Sequence, residues 1–210
     1  MCESPGAPLC PACEADLPHL DPARCPVCAQ ASPSGDRCGH CLKTPPGFDR
    51  TTAIFSYAFP VDRLIQRLKY AEYFAAAPLF GAMLAERVVQ AAPSSPPQVF
   101  LPMPLHPNRL KARGFNQAVE ITRELSRHTG IAMQSDWVER IRDTTSQAGL
   151  KRDARRKNLR GAFKCKTDVS GLHIGIVDDV MTTGSTLDAL AETLKQAGSM
   201  EISCWVVARA

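Results

Sequence analysis

Residues 172–194 constrain this chain more than any other stretch. Leu172, Ile174, Ile176 and Val177 form an apolar run that delivers two adjacent carboxylates, Asp178 and Asp179. A loop of hydroxyls and glycine follows, Thr182-Thr183-Gly184-Ser185-Thr186, before Leu187, Leu190 and Leu194 take up helical spacing. The order predicts a strand over 172–177, an acidic edge, an anion cup and a helix over 186–197. A helix N-terminus presents unpaired N–H groups and the positive end of a dipole, so it suits an anion. Gly184 permits a tight turn, and Thr182, Thr183, Ser185 and Thr186 add hydroxyl donors. Two carboxylates beside that anion must face something else. Sugar hydroxyls or hydrated Mg²⁺ fit, because magnesium takes one or two carboxylates together with substrate oxygens. A monophosphate next to a polyol satisfies both demands, and 5-phosphoribosyl compounds carry both. A merely capped junction would need one hydroxyl and no acidic pair. Both acids are expected to face solvent at the strand end, so that Asn at 178 and 179 would spare the fold.

The rest of the chain repeats the alternation. A strand is predicted over 51–59, helices over 61–70 and 76–90, and a short strand over 99–101 that Pro102-Met103-Pro104 ends. A polar, basic loop from His106 to Gln117 leads into a helix over 116–128 closed by Gly130, then strands over 137–140 and 202–208. Strands alternating with helices imply an α/β fold with a mostly parallel sheet flanked by helices. In such sheets ligands sit at the strands' carboxyl ends, where the order reverses. Residues 1–44 show no sustained period, and Pro45-Pro46-Gly47 marks a junction. Two parts are therefore expected, a cysteine-knuckle segment over 1–44 and an α/β domain over 45–210. No apolar run approaches the roughly 18 residues of a membrane span. The first thirty residues carry cysteines, prolines and acids where an export signal needs an apolar core, which predicts a cytoplasmic location.

Nine cysteines are many for 210 residues, and their placement gives them meaning. Cys10/Cys13, Cys25/Cys28 and Cys38/Cys41 are C-x-x-C pairs, the spacing of knuckles that supply two thiolates each to a tetrahedral zinc. A disulfide-rich secreted module competes but lacks its export signal, and redox C-x-x-C motifs would follow a strand. Cys25, Cys28, Cys38 and Cys41 make a complete four-thiolate site. Cys204 lies in the last apolar run and reads as a small core residue.

The net charge is only +4, but residues 151–160 hold six basic residues against one acid, and Arg109, Lys111 and Arg113 cluster too. A basic run is most often a solvated helix face. Beside an anion cup, it also suits loops that bring cations to a diphosphate.

Three further blocks complete the pattern: Pro102-Met103-Pro104-Leu105-His106 with Arg113-Gly114-Phe115-Asn116-Gln117, then Gln147-Ala148-Gly149-Leu150, then Arg155 with Asn158-Leu159-Arg160-Gly161-Ala162-Phe163. The stretch around Asp178 resembles the diphosphoribosyl-binding signature of type I phosphoribosyltransferases. With the cysteine pairs and these blocks, the chain is similar over nearly its whole length to the ComF family, which joins a zinc ribbon to a phosphoribosyltransferase-like domain. That family includes a competence protein and a gluconate-linked relative.

The resemblance implies 5-phosphoribosyl 1-diphosphate as ligand, with Mg²⁺ and structural Zn²⁺. Asp178 and Asp179 would serve the ribose and metal, Thr182, Thr183, Gly184, Ser185 and Thr186 the 5-phosphate, and Arg113 and Arg155 would close over the site. The loop after Leu101 would hold pyrophosphate through backbone N–H groups. The reaction would displace pyrophosphate at the anomeric carbon through an oxocarbenium-like transition state. No residue stands out as general base, while Tyr70 and Phe115 are aromatic candidates to stack a base. Some family members act in DNA uptake with a helicase-like partner on single-stranded DNA, so a non-enzymatic DNA-binding or motor-binding module is the alternative. Members with two ribbons would use Cys2, Cys10 and Cys13 in a first site. The partner of Cys2 would then lie upstream of Met1, which predicts an earlier start codon and a site one ligand short, with His19 as a stand-in.

Overall fold

A computed structural model describes residues 9–70, 73–90, 96–143 and 159–210. In chain order the elements are α1 (Pro11–Ala15), α2 (Gly39–Lys43), β1 (Arg50–Ser56), α3 (Val61–Lys69), α4 (Ala76–Gln90), β2 (Val99–Pro102), α5 (Pro107–Arg113) and α6 (Gln117–Thr129). They continue with β3 (Ala132–Met133), β4 (Val138–Arg140), β5 (Phe163–Cys165), β6 (His173–Met181), α7 (Ser185–Gln196) and β7 (Glu201–Arg209). Five strands form one parallel sheet in the order β1-β7-β6-β2-β3. The antiparallel pair β4–β5 stands apart from it.

The central strands β6 and β7 read as nearly unbroken apolar runs because both of their faces are covered. On one face Leu187, Leu190 and Leu194 of α7 meet Ile174, Ile176, Cys204 and Val206, together with Cys25, Val27, Cys28 and Cys41. On the other, Leu64, Ile65, Phe80, Ile121 and Leu125 from α3, α4 and α6 meet Val177, Trp205 and Val207. Cys204 is fully buried in this core, as its apolar run predicts. No helix among the described residues is long and apolar enough to cross a membrane.

The expected elements form, with informative differences. The polar stretch after His106 is not all loop: α5 forms there, Pro107 opening it and His106 Nδ1 accepting from Asn108 N. β6 extends to Met181, so both acids lie inside the strand rather than beyond it. The α4–α6 crossing is set by Gly81, where an added Cβ would sit 2.4 Å from Glu124 Cβ and 2.7 Å from the Ile121 carbonyl. Alanine gains about 1 kcal/mol of helix propensity over glycine, but overpacking against backbone costs about 1–3 kcal/mol. Gly81→Ala should therefore lower the urea midpoint at unchanged slope; a higher midpoint would show that the helices simply part.

Candidate functional site

The sheet order reverses between β2 and β6, since the chain leaves β2 toward β3 on one side and β6 toward β7 on the other. A crevice at the strands' carboxyl ends is the expected result of that reversal. The loop after β2 and the loop after β6 form its two lips. Met103 N donates to Val177 O at 2.8 Å and ties the lips at their base. Proline at 102 and 104 has no N–H, so within 102–106 the backbone donors outside this ladder belong to Leu105 and His106.

Adjacent residues on a strand point to opposite faces, and the two acids are sorted that way. Asp179 is only 4% exposed, on the face of α3 and α6. Its Oδ2 accepts from Lys69 Nζ at 3.0 Å and from Gln117 Nε2 at 3.2 Å. Arg113 in turn donates to Gln117 Oε1. Burial pushes the Lys69 ammonium down, but Asp179 outweighs it and leaves the pKa raised.

Asp178 is half-buried and accepts from the Asp179 N–H at 2.9 Å. Burial, reinforced by the neighbouring carboxylate, pushes its pKa up to about 7, against the pull of Lys69 and Arg140. Arg140 is buried, stacked over the Phe163 ring at 5.6 Å, with its pKa lowered first by burial and then by Arg109. The expectation that both acids face solvent is therefore corrected. Asp179 is a buried, paired carboxylate, and Asn there would disturb the fold as well as any ligand.

The hydroxyl loop folds as its composition demands. Gly184 takes φ +79°, a conformation that side chains rarely adopt, and directs the chain into α7. Thr183 Oγ1 and Ser185 Oγ lie 2.9 Å apart, with Ser185 buried, Thr183 and Thr186 half-buried and Thr182 exposed. The crevice thus brings together Asp178, Asp179, Thr182, Thr183, Gly184, Ser185 and Thr186, while half-buried Arg113 reaches Asp179 through Gln117. Arg155, Cys2 and the run 144–158, which holds the Gln147-Ala148-Gly149-Leu150 block, lie outside the described residues. Just before that run, Asp143 pairs with Arg109 at 3.7 Å and accepts from Asn108 Nδ2 at 3.1 Å. Phe115 packs against Phe74 with ring centroids 4.7 Å apart, whereas Tyr70 is exposed.

Cys25, Cys28, Cys38 and Cys41 converge, their sulfurs all within 4.8 Å of one another. A tetrahedron of Zn–S bonds near 2.3 Å needs sulfurs about 3.8 Å apart; Cys28 and Cys38 are at 3.7 Å. Burial raises the Cys25 thiol, but N–H groups including that of Cys38, at 3.3 Å from its Sγ, bring it down to about 7. Burial and crowding among the sulfurs push Cys28 and Cys41 up. A central divalent cation would relieve that crowding, so the donor set fits Zn²⁺. Cys10 and Cys13 flank the first turn of α1, and among the described residues no third metal-binding group joins them. The His19 ring packs on Phe55, with centroids 4.9 Å apart, and joins no cluster of three potential ligands among the described residues.

Residues 112–210 match the family described as "Phosphoribosyl transferase domain". The DNA utilization protein YhgH of Salmonella typhimurium is 34% identical over 88% of this chain and 83% of its own length. Competence protein F of Haemophilus influenzae is 32% identical over 96% of this chain and 90% of its own. This chain belongs to the ComF family. Among solved structures, a purine phosphoribosyltransferase from Pyrococcus horikoshii covers 76% of this chain and 87% of that one, at 17% identity and a TM-score of 0.38.

The ComF-type crevice uses residues that sequence reading passed over. Gln117 was visible at the end of the Arg-Gly-Phe-Asn-Gln block, and Lys69 as a basic residue in the last turn of a helix. Arg140 and Arg209 carried no signal beyond a charge at the end of an apolar segment.

Proposed function

We propose that this protein binds 5-phosphoribosyl 1-diphosphate with Mg²⁺ in the crevice between β2 and β6 and transfers the phosphoribosyl group to an acceptor. The observation that carries the reading is the half-buried Asp178 carboxyl beside a hydroxyl-rich loop that opens α7. The N–H groups and hydroxyls of Thr182–Thr186 would take the 5-phosphate at the helix N-terminus. Asp178 would accept hydrogen bonds from ribose hydroxyls, and Asp179 holds Lys69 against the strand behind it. The β2 lip, with the N–H groups of Leu105 and His106, would receive the diphosphate, and Arg113 and Arg155 would add positive charge. Magnesium, bound through Asp178 and substrate oxygens, would neutralise charge on the departing diphosphate. The bond from the anomeric carbon to the diphosphate breaks as the acceptor's bond forms, and positioning plus charge stabilisation supply most of the rate.

The relatives' names support a setting in DNA handling. They also favour a second reading, in which the fold serves as a single-stranded-DNA or motor-partner module that keeps the phosphoribosyl loop. Calorimetric titration with phosphoribosyl diphosphate and Mg²⁺ separates the two. Asp178→Asn should weaken binding at least about tenfold, the loss of one charge-assisted contact of about 1.5 kcal/mol, without lowering the melting temperature. Equal affinity in the variant would remove the assignment. Binding of a single-stranded oligonucleotide with no response to phosphoribosyl diphosphate would favour the module.

A further inference from the structure

β7 closes a buried run with a guanidinium. Arg209 is 6% exposed, and its Nε donates to Cys28 O at 2.9 Å. Its Nη1 donates to Met181 O at 3.0 Å and also to Thr182 O. The Gln30 carboxamide, turned oxygen-first, accepts from Nη1 and Nη2 at 3.2 and 2.6 Å. Cys28 and Gln30 belong to the knuckle turn, which Cys25 N closes on Gln30 O at 2.8 Å with Ala29 at φ +55°. Met181 and Thr182 open the hydroxyl loop. One planar cation therefore spans the thiolate knuckle and the candidate phosphate loop.

A second tie runs parallel to it, from Gly47 N to Asp188 Oδ1 in the first turn of α7, at 2.7 Å. Between the ties lies a cavity of about 60 Å³ lined by Cys28, Cys41, Phe48, Thr183, Gly184 and Ser185. The knuckle thus forms the back wall of the loop.

The consequence follows from peptide geometry. In a planar trans peptide the C=O and the next N–H point in opposite directions. Holding the Thr182 carbonyl against Arg209, and the Met181 carbonyl against both Arg209 and the Ala210 N–H at 3.0 Å, therefore turns the N–H groups of Thr182 and Thr183 away from them. We propose that Arg209 is a positioning residue that aims these two amides at the phosphate, and that it couples the loop to metal held by Cys25, Cys28, Cys38 and Cys41. Losing the metal then weakens phosphate binding without touching any residue that contacts the phosphate. The inference rests on the phosphoribosyl reading above. A lysine at 209 keeps the charge, but its single ammonium lacks the fork that reaches both segments.

The test uses zinc-loaded full chain and two readouts. In hydrogen exchange without ligand, Arg209→Lys and chelation of the wild type should each speed exchange at residues 182–186 about tenfold, the scale on which groups supporting a metal site act. Exchange in α4 and α6 should hold. Affinity for ribose 5-phosphate, which keeps the phosphate and lacks the diphosphate, should fall by a similar factor in both samples. Unchanged loop exchange in both would overturn the coupling. If Arg209→Lys does not fold, the chelated wild type decides by the same criterion. A wild type that binds neither ribose 5-phosphate nor phosphoribosyl diphosphate would overturn the proposed function instead, and loop exchange would then decide the role of Arg209.

Discussion

Metal analysis should find one zinc per chain that resists mild chelators, and its removal should open the knuckle before the sheet. The described residues supply one complete four-thiolate set, Cys25, Cys28, Cys38 and Cys41. The segment around it cannot close on its own apolar content. Its buried residues Cys25, Val27, Cys28 and Cys41 find their partners in Phe48, Val206 and the face of α7. Structural zinc contributes about 10 kcal/mol or more at neutral pH, and in segments of this kind that binding energy is folding energy. A strong chelator should thus abolish exchange protection over 25–41 and lower the melting temperature by many degrees. The α3–α4–α6 face, which packs separately on Val177, Trp205 and Val207, should keep its protection. Cys38→Ser should reproduce the effect in part, because three thiolates still hold a weaker site. Full protection over 25–41 after complete stripping would show that packing alone holds the knuckle.

The mostly parallel sheet and the hydroxyl loop were legible because each rests on local sequence pattern. β6 passes to α7 across the three residues 182–184, with glycine at the turn that needs a positive φ. The two acids were legible as residues but not as a structure. Stopping the strand at Val177 hid the alternation that sends Asp178 and Asp179 to opposite faces. Once β6 is carried to Met181, period 2 alone separates them. Other features were out of reach for a different reason. Lys69 meets a carboxylate from a distant strand, and Arg209 meets Cys28 across 181 positions of sequence, so no window contains both partners. β3 and β5 are two and three residues long, shorter than any period can reveal, whereas β4 falls within the strand read over 137–140. In α5 the helix depends on a proline at its first position and a histidine cap, where the polar composition reads as loop.

Lys69→Met should destabilise the protein by about 3 kcal/mol at pH 8, the lower end for breaking a buried ion pair. The lower end applies because the Lys69 side chain is 27% exposed, while that of Asp179 is 6%. Methionine keeps most of the stem's volume, so the loss reports the charge rather than a cavity. With the ammonium gone, Gln117 remains as a neutral donor, and Asp179 shares the strand end with a second carboxyl already pushed up to about 7. Without the Lys69 charge that pulls it down, the Asp178 carboxyl holds its proton in the folded state further above the pH at which the unfolded chain releases it. Stability falls with rising pH wherever the folded state binds more protons. The deficit should accordingly be small near pH 5 and grow through pH 7, a window over which the wild type, with Lys69 holding Asp178 lower, loses less. Urea unfolding of both proteins at pH 5, 6.5 and 8 reads the difference directly. Asp179→Asn added to Lys69→Met should restore much of the loss at pH 8, since it removes the stranded charge and keeps a hydrogen-bonding side chain for Gln117. A pH-independent deficit, or no recovery in the double variant, would show that Lys69 acts through packing and that Asp179 is stabilised by groups other than the ammonium.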